Sequence, residues 1–278
     1  MIPSKLRQAR LWLAERIRPD DPPPAAPPPE IYHLGLGKTY PEYWNNLARD
    51  RETAYFGVAG KPFGEPATEA SLDRHGEASA KIIAQKLALS PEDRVLEVGV
   101  GVGRLAKHLA PLCRHFTGVD ISANMIGFAQ ERLAGLDNVL LLPLDASGLR
   151  RFPGGCFDKV YIQVVLIHLD REDVFHYLGE CCRVLRPGGR AWFQFYNLLH
   201  PQGFQEFRSA VEFMKAKGDK LRGRVQCLTA SEVRKYVSAA GFKLREDLSH
   251  LCEVDQRFDF EIPDRDWEFY LIAVAEKP

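Results

Sequence analysis

The segment Val95-Leu96-Glu97-Val98-Gly99-Val100-Gly101-Val102-Gly103-Arg104 constrains the chain more than any other. An apolar run of strand character breaks into glycines at alternate positions and then gives way to a helical pattern. Glycine lets the backbone take dihedrals that a Cβ forbids, and lets it approach a ligand without a clash. A buried strand feeding such a turn belongs to a sheet whose carboxyl edge carries the binding sites. Tight turns packed for structural reasons also use glycine, so the turn alone does not name a ligand.

From residue 93 onward the pattern alternates. Strands are expected at Arg94–Val98, His115–Val119, Val139–Pro143, Phe157–Ile162 and Arg190–Tyr196, with helices near 103–112, 122–134 and 170–184 between them. Such alternation implies a parallel sheet covered by helices on both faces. A further helix over Ala230–Ala240, capped by Thr229 or Ser231 and stopped at Gly241, precedes two late strands near Lys243–Leu248 and Trp267–Ala275. Val184-Leu185-Arg186-Pro187-Gly188-Gly189-Arg190 reads as a structural turn, with Pro187 stopping a helix and two glycines leading into the next strand.

The N-terminal part differs. Residues 1–18 carry Leu6, Leu13 and Ile17 at helical spacing, with five bases against the single acid Glu15. This basic amphipathic helix suits a peripheral contact with an anionic surface or a partner; the plainer reading, which we favour, is a terminal helix covering its own domain or a frayed end. Residues 19–29, PDDPPPAAPPP, form a polyproline-like linker. Residues 30–90 read as mainly helical. Tyr40-Pro41-Glu42-Tyr43-Trp44 opens one helix and Pro66-Ala67-Thr68 leads into a long one to Leu89, with Gly57, Gly60, Pro62, Gly64 and Pro66 as a flexible connector.

Composition narrows the function classes. Lys+Arg and Asp+Glu both number 37, so no global charge points to nucleic acid. The six cysteines include no C-x-x-C pair, so no metal or redox motif is read, and the thiols fit a reduced, cytoplasmic protein. No apolar run reaches the roughly 18 residues of a membrane span.

Two acids join the glycine turn. Asp120, at the end of Thr117-Gly118-Val119-Asp120, can accept hydrogen bonds from both hydroxyls of a ribose, while Ser122 is free to cap the next helix. Asp145, in Leu144-Asp145-Ala146, places a carboxylate beside a backbone amide that can read the edge of an adenine; as a lone loop aspartate it would be only a turn former. A nicotinamide-dependent oxidoreductase competes, because Gly101-x-Gly103-x-x-Ala106 fits a dinucleotide fingerprint. Glu97 counts against it, being an acid just ahead of the glycines.

With these elements in order, the chain resembles the class I S-adenosylmethionine (SAM) dependent methyltransferases over about residues 70–278. Glu97-x-Gly99-x-Gly101-x-Gly103 stands for the family's first motif, Asp120 for its ribose acid, Asp145 for its adenine-side acid and Leu185–Gly189 for its post-helix turn. The resemblance implies a seven-stranded, mostly parallel sheet with an antiparallel last strand, helices on both faces and an N-terminal helical extension. It divides the chain into a basic helix and linker (1–29), a helical lid or extension (30–90, closing through 40–65) and a SAM-binding domain (91–278). It implies SAM as cofactor and S-adenosylhomocysteine (SAH) as product, held by Glu97, Gly99, Gly101, Gly103, Asp120, Ile121, Asp145, Ala146 and Gln163.

The acceptor is read from chemistry. A hydroxyl of a small molecule, a natural product or sugar-like compound, is the first expectation, and a hydroxyl needs a base. His168 and His200 follow the fourth and fifth strands, and His250 follows the sixth; imidazole keeps a proton-accepting fraction near neutral pH. An amine acceptor is the alternative, suggested by the acidic run Glu253 to Asp266, and a non-catalytic subunit with a SAM-binding fold is a third reading.

Overall fold

The computed structural model describes residues 37–59, 67–144, 148–245, 248 and 269–278. The basic segment 1–18, the proline run, the 60–66 connector, Asp145, Ala146, His250 and the acidic run lie outside the described residues.

Seven strands form one sheet: β1 (Arg94–Val98), β2 (His115–Asp120), β3 (Val139–Pro143), β4 (Phe157–Ile162), β5 (Leu185–Tyr196), β6 (Lys243–Leu244) and β7 (Tyr270–Glu276). Their order is β3-β2-β1-β4-β5-β7-β6, with β7 antiparallel to both neighbours and the pairs among β1–β5 parallel. The chain reverses direction across the sheet between β1 and β4, and such a switch point opens a crevice at the carboxyl ends of the strands.

Side-chain alternation along the strands makes two cores. Leu96, Val98, Val160, Ile162, Phe193 and Phe195 face one side, against α6 (Arg171–Val184) and α8 (Ala230–Ala239). Val95, Tyr161, Trp192, Ile272 and Val274 face the other, against α3 (Glu69–Leu87), α4 (Ala106–Leu109) and α5 (Ala123–Arg132). Both faces are apolar because both are covered. Ile83 and Leu87 of α3 are fully buried, and truncating either to Ala should cost about 2–5 kcal/mol. Ion pairs tie α3 to α5: the Arg132 side chain, only 3% exposed, meets Glu69 at 3.0 Å and also bonds Asp73.

Two short helices precede this domain, α1 (Tyr40–Leu47) and α2 (Arg51–Ala59). The expected connector is therefore shorter at its start, since Gly57 lies inside α2. Its packing explains this, because a Cβ at Gly57 would press on Leu47 of α1. Three other expectations need correction. The strand expected from Arg190 begins at Leu185, because Leu185 already pairs with Phe157 before a register shift. The helix expected over 103–112 shrinks to four residues plus a 3₁₀ turn at Ala110–Leu112, where Pro111 interrupts it. The segment after β5, to which no element was assigned above, is α7 (Pro201–Lys217), capped by His200 and ended by Gly218 at φ 73°. Its apolar residues gave no clean stripe, since Phe204, Phe207 and Met214 are exposed and Phe213 is buried.

Candidate active site

A cavity of about 290 Å³ sits at the carboxyl edge of β1, β2 and β4. Its floor is the glycine turn. Gly99 and Val100 donate to the Val119 carbonyl at 2.7 and 3.0 Å, which stitches the turn to the end of β2. Gly99, Gly101 and Gly103 take φ of 83°, 53° and 78°, values L residues avoid. Space is as restrictive as dihedral: a Cβ at Gly99 would collide with Val165, and one at Gly101 would stand 3.0 Å from Val58.

Asp120 closes the β2 side. Its carboxylate accepts from Gly101 N at 2.8 Å and Ser122 N at 2.9 Å. Ser122 caps α5 by accepting from Met125 N at 3.2 Å. Asp120 is thus spared the cap, yet it also fixes the glycine turn. Burial pushes its pKa up to about 6 against these amide bonds. Glu97 is buried beneath the turn; burial raises its pKa to about 8, with Tyr161 and Arg104 opposing the shift. Its Oε2 has no hydrogen-bond partner, an orphaned acceptor at the cavity.

The opposite wall comes from side chains. Tyr40 and Trp44 of α1, Gln163 and Val164 after β4, His168, and Asp173, His176 and Tyr177 of α6 all line the cavity. Tyr40 Oη accepts from Asp170 N at 2.9 Å, and burial raises its pKa to about 12. Trp44 meets His168 edge-on, ring centroids 4.9 Å apart. His168 Nδ1 lies 3.0 Å from the Gly223 carbonyl. A carbonyl only accepts, so Nδ1 carries the proton and Nε2 keeps its lone pair. Burial pushes the pKa of His168 down to about 4, so it is neutral throughout the physiological range. Val164 stands at φ 58°, a strained position for a β-branched residue, pinned by its amide donating to Gln194 Oε1 at 3.2 Å.

Of the residues expected to hold a cofactor, Glu97, Gly99, Gly101, Asp120, Ile121 and Gln163 converge on this cavity. Gln163 also accepts from Trp192 Nε1 at 2.8 Å. Gly103 does not line it; its positive φ serves the start of α4 and packs against Leu133. Asp145 and Ala146 lie outside the described residues, though their neighbours Leu144 and Gly148 line the cavity. The structure brings His168 to the site and not His200. His200 is buried at the start of α7, its Nδ1 accepting from Gln202 N at 3.1 Å and its ring 5.4 Å from Phe269. Asp173, His176 and Tyr177 had gone unnoticed, although spacings of three and four residues put them on one helix face.

The site suits a nucleoside with a charged appendage: glycines against which a ligand can lie, a carboxylate at the end of β2, and an orphaned acid beneath. This fold and site define a class of Rossmann-like enzyme. The family comparison is consistent, since a profile described as "Methyltransferase domain" matches residues 95–189. Residues 95–189 are thus similar to the methyltransferase domain of the class I SAM-dependent kind, whose cofactor is SAM and whose product is SAH. It is 29% identical over 145 residues to phosphoethanolamine N-methyltransferase 1 of Arabidopsis thaliana, covering 51% of this chain and 28% of that protein. It is 25% identical over 190 residues to the phosphoethanolamine N-methyltransferase of Plasmodium falciparum, covering 66% of this chain and 67% of that one. The chain thus spans under a third of the plant relative's length. Magnesium protoporphyrin IX methyltransferase from Synechocystis PCC 6803, solved with bound SAH, shares the fold with a TM-score of 0.57 at 21% identity, covering 86% of this chain and 98% of that one. No helix among the described residues is long and apolar enough to cross a membrane.

Proposed function

We propose that the chain transfers the methyl group of SAM to an amine nitrogen of a small molecule. Glu97, Gly99, Gly101, Asp120, Ile121 and Gln163, with Asp145 and Ala146 just after β3 in sequence, hold the cofactor, and the acceptor lies against Tyr40, Trp44, His168 and Asp173. SAM supplies an electrophilic methyl on a sulfonium, so the protein chiefly has to align a nucleophile and exclude water.

The observation that carries the choice of acceptor is His168. An alcohol must lose a proton to attack, and an imidazole with a pKa near 4 is a weak base for it. An amine attacks through a lone pair it already has once neutral. Its N–H groups need acceptors, which His168 Nε2 and the Asp173 carboxylate provide, and its nitrogen becomes cationic as the methyl arrives, which a cavity lined by the aromatic residues Tyr40, Trp44 and Tyr177 favours. The plant and Plasmodium relatives are named for N-methylation, in keeping with this. The hydroxyl reading keeps one observation in its favour, the tautomer of His168 that leaves Nε2 as a proton acceptor.

SAM turnover against a panel of amine and hydroxyl metabolites, read by mass, tests the proposal. Amine products are expected, with a rate that rises with pH through the acceptor's own pKa and shows no inflection from His168 above pH 6. His168→Gln should leave SAH affinity unchanged and slow turnover roughly 10-fold, because glutamine still offers an acceptor. Hydroxyl products with a loss of about 10²-fold or more in His168→Gln would establish the other reading. SAH binding without turnover of any acceptor would return the non-catalytic subunit.

A further inference from the structure

Helix α7 presents a surface that neither the cavity nor the core uses. Its inner side is fixed: a Cβ at Gly203 would fall 1.9 Å from the Asn197 carbonyl oxygen, and Phe213 packs with Tyr43 and Leu47 of α1. Phe204, Phe207 and Met214 are left on the solvent side, 52%, 49% and 40% exposed, with Leu199 at 77% just ahead of the helix. Spacings of three and four residues, through the partly buried Val211, put them on one stripe. The Phe204 and Phe207 rings lie 6.0 Å apart. At roughly 200 Å² for a full side chain of this size, the stripe holds on the order of 400 Å² of apolar surface in water, within the range of functional patches on monomers. Cations edge it. Arg208 and Lys215 flank the stripe on the helix, Lys217 ends the helix and Lys220 follows, the three lysines all exposed. The helix's own acids do little against them, since Glu206 is partly buried and Glu212 is paired with Lys215 at 2.8 Å.

We infer that α7 docks on an anionic lipid surface, with Leu199, Phe204, Phe207 and Met214 entering the headgroup boundary and Lys215, Lys217 and Lys220 meeting the lipid charges. A convex helix with an aromatic and aliphatic stripe edged by long cations has the composition of an interfacial helix. Lysine stems can lie along such a stripe while their heads stay in water. A second copy of this chain fits less well. About 400 Å² is half of what each partner gives a stable dimer, and a two-fold interface sets the same patch against itself, lysines included. The inference stands apart from the cofactor reading, because none of these residues lines the cavity.

The test mixes the full chain with vesicles of phosphatidylcholine alone or with about 30% phosphatidylserine, and measures bound protein by co-sedimentation. Binding is expected on the anionic vesicles and should fall as salt screens the attraction. Phe204→Ser/Phe207→Ser/Met214→Ser should weaken it by more than about 10-fold with the melting temperature unchanged. Lys217→Gln/Lys220→Gln, at exposed positions, should weaken it about fivefold per lysine. A wild type that ignores anionic vesicles, or binds both kinds equally, overturns the inference. So does binding that both variants keep, which would assign it to another segment such as the basic residues 1–18. A wild-type dimer that the serine substitutions split, without vesicle binding, would make the stripe an interface between copies and overturn it as well. Should the serine variant fail to fold, the lysine variant and the salt series decide.

Discussion

The two walls of the cavity are built differently. The wall formed by β1, β2 and their glycine turn comes from 24 consecutive residues, Glu97 to Asp120, and its shape is mostly backbone: three positive φ angles, amides on the Val119 carbonyl, one carboxylate pinning the loop. The opposite wall is assembled from α1, the turn at Leu166–His168 and α6, and its shape is mostly side chain. Backbone geometry has few solutions, so the first wall tolerates little change. Side chains on separate elements can be exchanged without altering the fold, so the second wall is where acceptor choice can vary.

The largest expected effect breaks the first wall. Gly99→Val forces a β-branched residue to φ near 83° and drives it into Val165. SAH binding should weaken by more than 100-fold, beyond about 2.8 kcal/mol, and the melting temperature should fall. Trp44→Ala, on the second wall, should leave SAH affinity within about threefold and raise the acceptor KM. Comparable losses of SAH affinity in both variants would erase the distinction between the walls.

A smaller effect comes from ionisation beneath the turn. Glu97 is raised from 4.5 to about 8 and Asp120 from 3.8 to about 6, both by burial. A raised carboxyl pKa means that the folded protein holds the proton more tightly than the unfolded chain. The ligand-free protein therefore gains stability that is fully present below about pH 4 and is lost as pH rises through 6 and then 8. Binding runs the other way. If the cationic end of SAH meets Glu97 it needs the carboxylate, and SAH affinity should then rise as pH climbs from 6 to about 8 and level. Calorimetry in buffers of different ionisation enthalpy should register proton release at pH 7, and Glu97→Gln should flatten the profile. A pH-independent SAH affinity in the wild type would mean that Glu97 faces no cation.

These two walls also explain what the sequence disclosed. The glycine turn and Asp120 were legible because each is a local necessity: a positive φ demands glycine, and a strand-end acid beside glycine amides has few other uses. The parallel sheet followed from the alternation of strands and helices, and β1, β3 and β4 fall at their expected ends. The acceptor wall was hidden because no local pattern joins Tyr40, His168 and Asp173; only the fold brings them together. His168 and His200 looked equivalent in sequence, each just past a strand. They separate in space because the chain after Tyr196 turns at once into α7, whose first amides use His200 as a cap. Pro201 at the first helical position was the signal for that helix.

The smallest expected effect probes whether α1 moves independently of the domain beneath. Thr39 begins α1 with a capping box: Glu42 N donates to Thr39 Oγ1 at 3.4 Å, and Glu42 Oε2 accepts from Thr39 N at 3.2 Å. Thr39→Ala removes the first of these and should cost about 1 kcal/mol, all of it local to the helix. An eight-residue helix cannot hold itself, so it depends on its cap and on packing of Tyr43 and Leu47 against Phe213 and Leu221. A loss of 1 kcal/mol multiplies the open fraction about fivefold, so amides near Trp44 to Leu47 should exchange about fivefold faster while the midpoint of global unfolding barely moves. Because α1 carries Tyr40 and Trp44 but none of the glycine turn, the acceptor KM should rise severalfold with SAH affinity unchanged. The same amides should gain protection when SAH and acceptor are both present, as expected of a helix that closes over the site. If Thr39→Ala weakens SAH as much as the acceptor, α1 belongs to the first wall, and the cavity is one rigid unit.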